Sequence, residues 1–167
     1  MYDELTKSDL KKMQEEIDYR VQTLRPKLIE DVQTARAFGD LSENFEYKCA
    51  KQEKNRNDAR VRYLQRMIKT AHVIDDTSAA DAAGLWDTVE IRMETTGATR
   101  KIRLVTTLRQ DALKGLISKE SPLGAAVIGH KAGERVYVRV NDDYGYYAEI
   151  RSIEKGQDDA SLEISAY

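Results

Sequence analysis

Between Leu10 and Ala35 the apolar residues recur every three or four positions, at Leu10, Met13, Ile17, Val21, Leu24, Leu28, Val32 and Ala35, with Lys, Glu, Gln, Asp and Arg between them. Such spacing lays one apolar stripe along a helix that packs on a single partner. Thr6, followed three residues later by Asp9, predicts a capped start with an acidic first turn. Pro26 falls inside the run, where it removes a hydrogen bond, but the register continues through it, so a bend is expected rather than a break. A second stripe at Val61, Leu64, Ile68 and Ala71 predicts a returning helix. Stepped backwards, its register meets Asn57, Lys54, Ala50 and Tyr47, so burial should fade towards the turn. Gly39 suits the left-handed position after a helix end, and Asp40 is expected to open the second arm. At about 1.5 Å per residue, two arms of roughly thirty residues would each reach ~45 Å.

The period changes near Val73, and the small polar stretch DDTSAADAAG reads as a linker. Beyond it the pattern alternates, at Val89, Ile91 and Met93, then at Ile102, Leu104 and Thr106, with TTGAT as the turn between. Two further strands, ERVYVRV and YYAEIRSIE, flank the turn NDDYG. Between the pairs, Ser121 and Pro122 predict the start of a short helix ending near Gly129. The tail GQDDASLEISAY is expected either to fray or to add an edge strand through LEIS. The expected fold is therefore α+β: a long antiparallel coiled-coil hairpin at 1–75, a linker at 76–84, and a small antiparallel sheet with one helix at 85–167.

Composition narrows the function. The chain has 167 residues, 34% of them charged, with 27 basic against 29 acidic side chains, so no bulk positive charge argues for sequence-independent nucleic-acid binding. Any such role must be local. A single cysteine, Cys49, permits no internal disulfide and fits a reducing cytosol. The N-terminus is charged throughout and no apolar run approaches the ~20 residues of a membrane span, so a soluble cytoplasmic protein is expected.

The chemistry concentrates in the stretch between the stripes, GDLSENFEY. Asp40 and Glu43 stand three apart at an expected helix start, which fits a capping box at the positive end of the helix dipole. The same spacing also puts both carboxylates on one face, where they could share a cation. Mg²⁺ is often held by only one or two carboxylates, with water and phosphate oxygens completing its octahedron.

The residues GDLSENFEYKCAKQE closely resemble the tip motif of the bacterial Gre transcript cleavage factors, GreA and GreB, whose pattern is GDL or GDR, a polar residue, then ENAEY or a near variant. The resemblance runs from about residue 5 to 155, through HVID before the linker and SPLGAAVIG in the second domain. It implies a protein that is not itself an enzyme. Its hairpin would enter the secondary channel of bacterial RNA polymerase, where the tip acids help to bind the second catalytic Mg²⁺ and orient water, so that the polymerase cuts its own backtracked RNA. Carried over by motif position, the acids are Asp40 and Glu43, supplied in trans, and Asn44 and Tyr47 are tip supports. Mg²⁺ would be shared with the polymerase, with no cofactor of the chain's own. The partners implied are the polymerase and the nascent RNA 3′ end, with no membrane and a monomeric factor. The family also implies an FKBP-like second domain.

Arg36 and Lys51 occupy positions resembling the family's basic patch, and Lys54 lies one turn behind Lys51, so these three could hold displaced RNA by its phosphates. A solvated helix surface explains them as well. Phe45 departs from the family, standing where a small residue is usual. Packing on Phe38 or Leu41 to close the turn is the favoured reading, ahead of stacking on a frayed RNA base or distorting the tip. Cys49, His72, His130 and Trp86 read as structural. Two other functions stay open: a polymerase-binding regulator or inhibitor without cleavage activity, and a peptidyl-prolyl isomerase. The isomerase needs a concave, aromatic-lined pocket, whereas the sheet offers tyrosines, Tyr137, Tyr144, Tyr146 and Tyr147, that suit a docking surface.

Overall fold

A computed structural model describes residues 3–39 and 43–166, and divides the chain into two compact units, one spanning 10–71 and the other 3–9 with 72–167. The fold is α+β. The stretch 76–84, expected as a linker, falls inside the second unit, where Ala82 and Ala83 are buried.

The first unit is a helical hairpin. Helix α1 (Lys7–Tyr19) passes through a π-helical segment (Arg20–Leu24) into α2 (Arg25–Arg36), and α3 (Phe45–Thr70) returns. The expected capping at Thr6 is present and reciprocal: the Asp9 amide donates to Thr6 Oγ1 (3.3 Å) and the Thr6 amide to Asp9 Oδ2 (3.1 Å). Pro26 does not break the first arm. It sits in the opening turn of α2, where the missing N–H costs least, and the chain winds into it through the wider π turn, in which the Arg25 amide donates to Arg20 O.

That extra width shifts the register. Met13 and Ile17 are buried as the stripe predicts, but Val21 is exposed, and Arg20 turns towards the second arm instead. Asn57, buried in α3, receives a bond from Arg20 Nη1 (3.1 Å) and donates Nδ2 to Arg20 O (3.3 Å). Beside it, Arg60 grips Glu16 with both Nε (2.9 Å) and Nη2 (3.1 Å), and Glu16 also accepts from Arg20 Nε (2.7 Å). A polar layer thus crosses the hairpin where the stripe alone calls for aliphatic side chains. Below it Val61 and Leu64 are buried, and towards the turn burial does fade.

The second unit opens with β1 (Glu4–Leu5), which pairs in parallel with β2 (His72–Val73). A sheet of five strands follows: β3 (Thr88–Met93), β4 (Thr99–Val105), β5 (Leu116–Ser118), β6 (Arg135–Arg139) and β7 (Gly145–Glu154), in the order β5-β4-β3-β7-β6. The four alternating stretches read from the sequence are the four antiparallel strands. The sheet is nevertheless mixed, because β5 runs parallel to β4. Two 3₁₀ turns, Thr107–Arg109 and Ala112–Lys114, carry the chain back to begin it, and three residues are too few to show an alternation. Helix α4 (Pro122–Val127) starts on Ser121, whose Oγ accepts from the Gly124 amide (3.1 Å). Val127 joins Val89, Ile91, Leu104, Val138 and Ile150 in one apolar core.

The tail neither frays nor forms an edge strand through LEIS. Arg103 Nη2 donates to Gln157 O (3.0 Å), and Arg109 Nη1 donates to Asp159 O (2.8 Å) and Leu162 O (3.0 Å). Arg109 is itself fully buried, with Nε donating to the equally buried Asp9 (2.6 Å) and its guanidinium 5.3 Å from the Trp86 ring centroid. One side chain therefore ties the N-terminal segment, the sheet and the tail together within this unit.

Candidate functional site

The site is the open end of the hairpin, and Asn44 builds it. The second arm does not begin at Asp40. Its first helical residue is Phe45, with Asn44 in extended conformation as the N-cap, and Asn44 Oδ1 accepts from the Tyr47 amide (2.9 Å). The other half of the same amide reaches across the turn: Asn44 Nδ2 donates to Ala35 O (2.7 Å). The amide at the start of α3 has no partner within its own helix, and the carbonyl near the end of α2 accepts a longer bond from the Phe38 amide (3.3 Å), so one side chain completes both. An aspartate here could cap α3 but could not donate to α2, whereas asparagine carries both functions.

This replaces the expected capping box. Asp40 and Leu41 lie outside the described residues. Glu43 precedes the N-cap, in an exposed turn, so it does not take the third helical position that the expected capping box gave it. Among the described residues no three His, Cys, Asp or Glu side chains converge to hold a metal unaided. An exposed carboxylate at the end of a hairpin, Glu43 with Glu46 in the next turn, does fit an ion whose remaining ligands come from elsewhere, as Mg²⁺ sites with few protein ligands allow.

Two of the three expected basic residues meet at Tyr47. The Arg36 guanidinium lies 5.6 Å from its ring centroid and Lys51 Nζ 5.9 Å from it, on opposite arms. A hydrogen bond from Arg36, opposed in part by desolvation and aided by the charges of Lys51 and Arg36, holds the phenol below its ordinary value of 10.0. The Tyr47 ring therefore gathers the two cations. Lys54 does not join them. It is bonded to Asp58 (2.9 Å), which also pairs with Arg25 (3.2 Å).

Phe45 does not close the turn. Phe45 is 76% exposed and Phe38 71%, so neither buries the other, and Leu41 lies outside the described residues. Cys49 is exposed on α3, and His130 is engaged with Glu134 (3.0 Å). In the sheet unit, Tyr137 and Tyr147 pair across β6 and β7 with centroids 4.9 Å apart, and Arg135 lies 3.5 Å over Tyr147. A cleft of about 340 Å³ in that unit is lined by Glu4, Asp75, Asp76 and Lys119 among others, and by no aromatic ring. It lacks the lining that a prolyl isomerase pocket requires.

The chain thus combines a helical hairpin whose end carries exposed side chains with a small mixed sheet that follows it in sequence. Residues 4–73 match the family described as transcription elongation factor, N-terminal, and residues 78–155 the family described as transcription elongation factor, GreA/GreB, C-terminal. The transcription elongation factor GreA of Mesoplasma florum is 37% identical over 142 residues, covering 84% of this chain and 91% of the relative. That of Oenococcus oeni is 35% identical over 154 residues, covering 92% and 95%. Among solved structures, the crystal structure of GreA factor homolog 1 of Thermus thermophilus aligns over 93% of this chain and 100% of that chain at 20% identity, with a TM-score of 0.43, too loose to bear on function. The chain belongs to the GreA/GreB family of transcription elongation factors.

Proposed function

We propose that this elongation factor binds RNA polymerase, inserts its hairpin into the secondary channel and stimulates the polymerase's own cleavage of backtracked RNA. The observation that carries the reading is the Asn44 staple. By bonding Ala35 O and the Tyr47 amide at once, Asn44 fixes the two arms to each other directly behind Glu43, so the exposed carboxylate is borne by a braced end rather than a loose loop. Preorganisation of this kind is what positioning a reacting group demands, since a misplacement of about 1 Å can cost a hundredfold in rate.

Asp40 and Glu43 are the residues that would contribute oxygens to a Mg²⁺ ion shared with the polymerase, and Asn44, Phe45 and Tyr47 shape the end that presents them. Such an ion, when bound, generates hydroxide near neutral pH and stabilises charge developing on phosphate oxygens. Arg36 and Lys51, held over Tyr47, would receive phosphates of the displaced RNA 3′ segment, and Lys54 keeps Asp58 in place behind them. The chain is read as a monomer acting in the cytoplasm.

The test is RNA cleavage in stalled, backtracked complexes of the cognate polymerase, comparing wild type with Asp40→Ala, Glu43→Ala and the double variant. The reading expects wild type to accelerate Mg²⁺-dependent cleavage, and the variants to bind polymerase but lose the acceleration. A wild type that binds and slows elongation without cleaving would give the role to the second reading, a regulator of polymerase, which the bulk of the exposed Phe45 ring beside Glu43 favours.

A further inference from the structure

Phe38 and Phe45 stand at the two ends that meet at the turn, one just beyond α2 and the other opening α3, and both rings are more than two-thirds exposed. Phenylalanine stabilises a fold by leaving water, and two rings that stay largely in water contribute little to this one. Their surroundings indicate what would cover them. Within one to two helical turns lie Tyr47 and the cations Arg36 and Lys51, and neither cation is paired with a carboxylate among the described residues. Further along the arms, by contrast, Lys54, Arg25, Arg20 and Arg60 are all held by Asp58 or Glu16. Exposed aromatic faces next to cations that no carboxylate neutralises are the two components with which proteins hold single-stranded nucleic acid, rings for the bases and cations for the backbone.

We infer that Phe45, with Phe38 at the end of the other arm, is a stacking platform for the unpaired base at the 3′ end of backtracked RNA, while Arg36 and Lys51 take its phosphates. The inference rests on the proposed entry of the hairpin into the polymerase and adds a residue to it. Phe45 is a positioning residue: it immobilises the base so that the adjoining phosphodiester is held against the tip, and it takes no part in the bond that breaks. Because every base has a π face, the platform is tolerant of sequence, and purines, with the larger face, are held better than pyrimidines.

The experiment places 2-aminopurine at the RNA 3′ terminus of a backtracked complex and follows both its fluorescence, which falls on stacking, and the cleavage rate. Adding wild type should quench the probe, Phe45→Ala should not, and Phe45→Trp should restore the quenching. Phe45→Ala should also slow stimulated cleavage about tenfold, the equivalent of roughly 1.4 kcal/mol of stacking, and this deficit should vanish on transcripts ending in an abasic nucleotide. Quenching without cleavage would uphold the platform and sink the cleavage reading. Cleavage without quenching would do the reverse. A Phe45→Leu variant as active as wild type, or a deficit that persists on the abasic transcript, would overturn the inference in favour of an apolar contact with polymerase protein.

Discussion

The two units are held together by different physics. In the sheet unit, an apolar cluster fills the space between the sheet and α4, and the charges that go inside are paired: Asp9 with Arg109, both fully buried, and Asp87 with Lys155. In the hairpin, charge is part of the seam itself: Glu16, Arg20, Asn57 and Arg60 share one layer, and the end is closed by the amide of Asn44. Apolar packing is strong but indifferent to sliding, whereas reciprocal polar bonds are satisfied in one register only. A hairpin that must deliver a carboxylate to a fixed point needs the second property more than the first. The comparison suggests that stability is concentrated in the sheet unit and positional accuracy in the hairpin.

The largest effect should come from the buried pair. Asp9→Ala removes the buried carboxylate from Arg109, leaving only the longer contact to Asp158 (3.7 Å), and should destabilise the sheet unit by about 3–5 kcal/mol. Trp86, the chain's single tryptophan, reports on this unit, so urea unfolding followed by its fluorescence is the measurement. A loss below about 1 kcal/mol would mean that the pair does not hold the tail and N-terminal segment in place. Leu104→Ala, at a fully buried position in β4, should cost about 2–5 kcal/mol on the same transition.

Hairpin variants should leave that transition alone. Asn44→Ala removes a cap and a bond between the arms, and should lower the local stability of the turn by about 1–2 kcal/mol. Faster amide exchange in the first turns of α3, with the Trp86 transition unmoved, is the expected pattern. Glu16 tests the polar layer through pH. Burial opposes its charged form, but hydrogen bonds from Arg60 and Arg20 outweigh this, leaving its pKa below the ordinary 4.5. Its contribution is therefore present above that ordinary value and is lost as pH falls through the lowered one. Helicity followed from pH 7 downward should fall more steeply in wild type than in Glu16→Gln, and parallel curves would remove the layer from the account. Smallest of all, Phe45→Ser should change stability by less than about 0.5 kcal/mol, as a ring in water should.

Periodicity made the local elements legible. The stripe ending at Ala35, the strands around Val89 and Leu104, and the Ser121-Pro122 helix start all depend on residues within a turn or two of each other. What escaped depends on distance or on competition between neighbours. Asp40 and Asn44 are both good N-caps, and nothing local shows that Asn44 alone can also reach Ala35 O, nine residues back. The π segment hides Arg20's inward turn, because a helix wound at 3.6 residues per turn puts Val21 on the seam. Arg109 joins segments about a hundred residues apart in the chain, and β1, β2 and β5 are too short to carry a pattern. The role expected of Asp40 and Glu43 comes from likeness to a family motif, whereas their charge spacing alone indicates an ordinary cap.

Asn44→Asp separates the two jobs of the staple. Aspartate keeps the oxygen that caps α3 but has no hydrogen to offer Ala35 O, so the fold is retained while the tie between the arms is lost. The measurement is stimulated cleavage of backtracked RNA by this variant, alongside its binding to polymerase. The account predicts normal binding, an unchanged Trp86 transition and cleavage reduced about tenfold or more. Cleavage at the wild-type rate, with the bond to Ala35 shown to be absent, would contradict the claim that Asn44 positions the end of the hairpin.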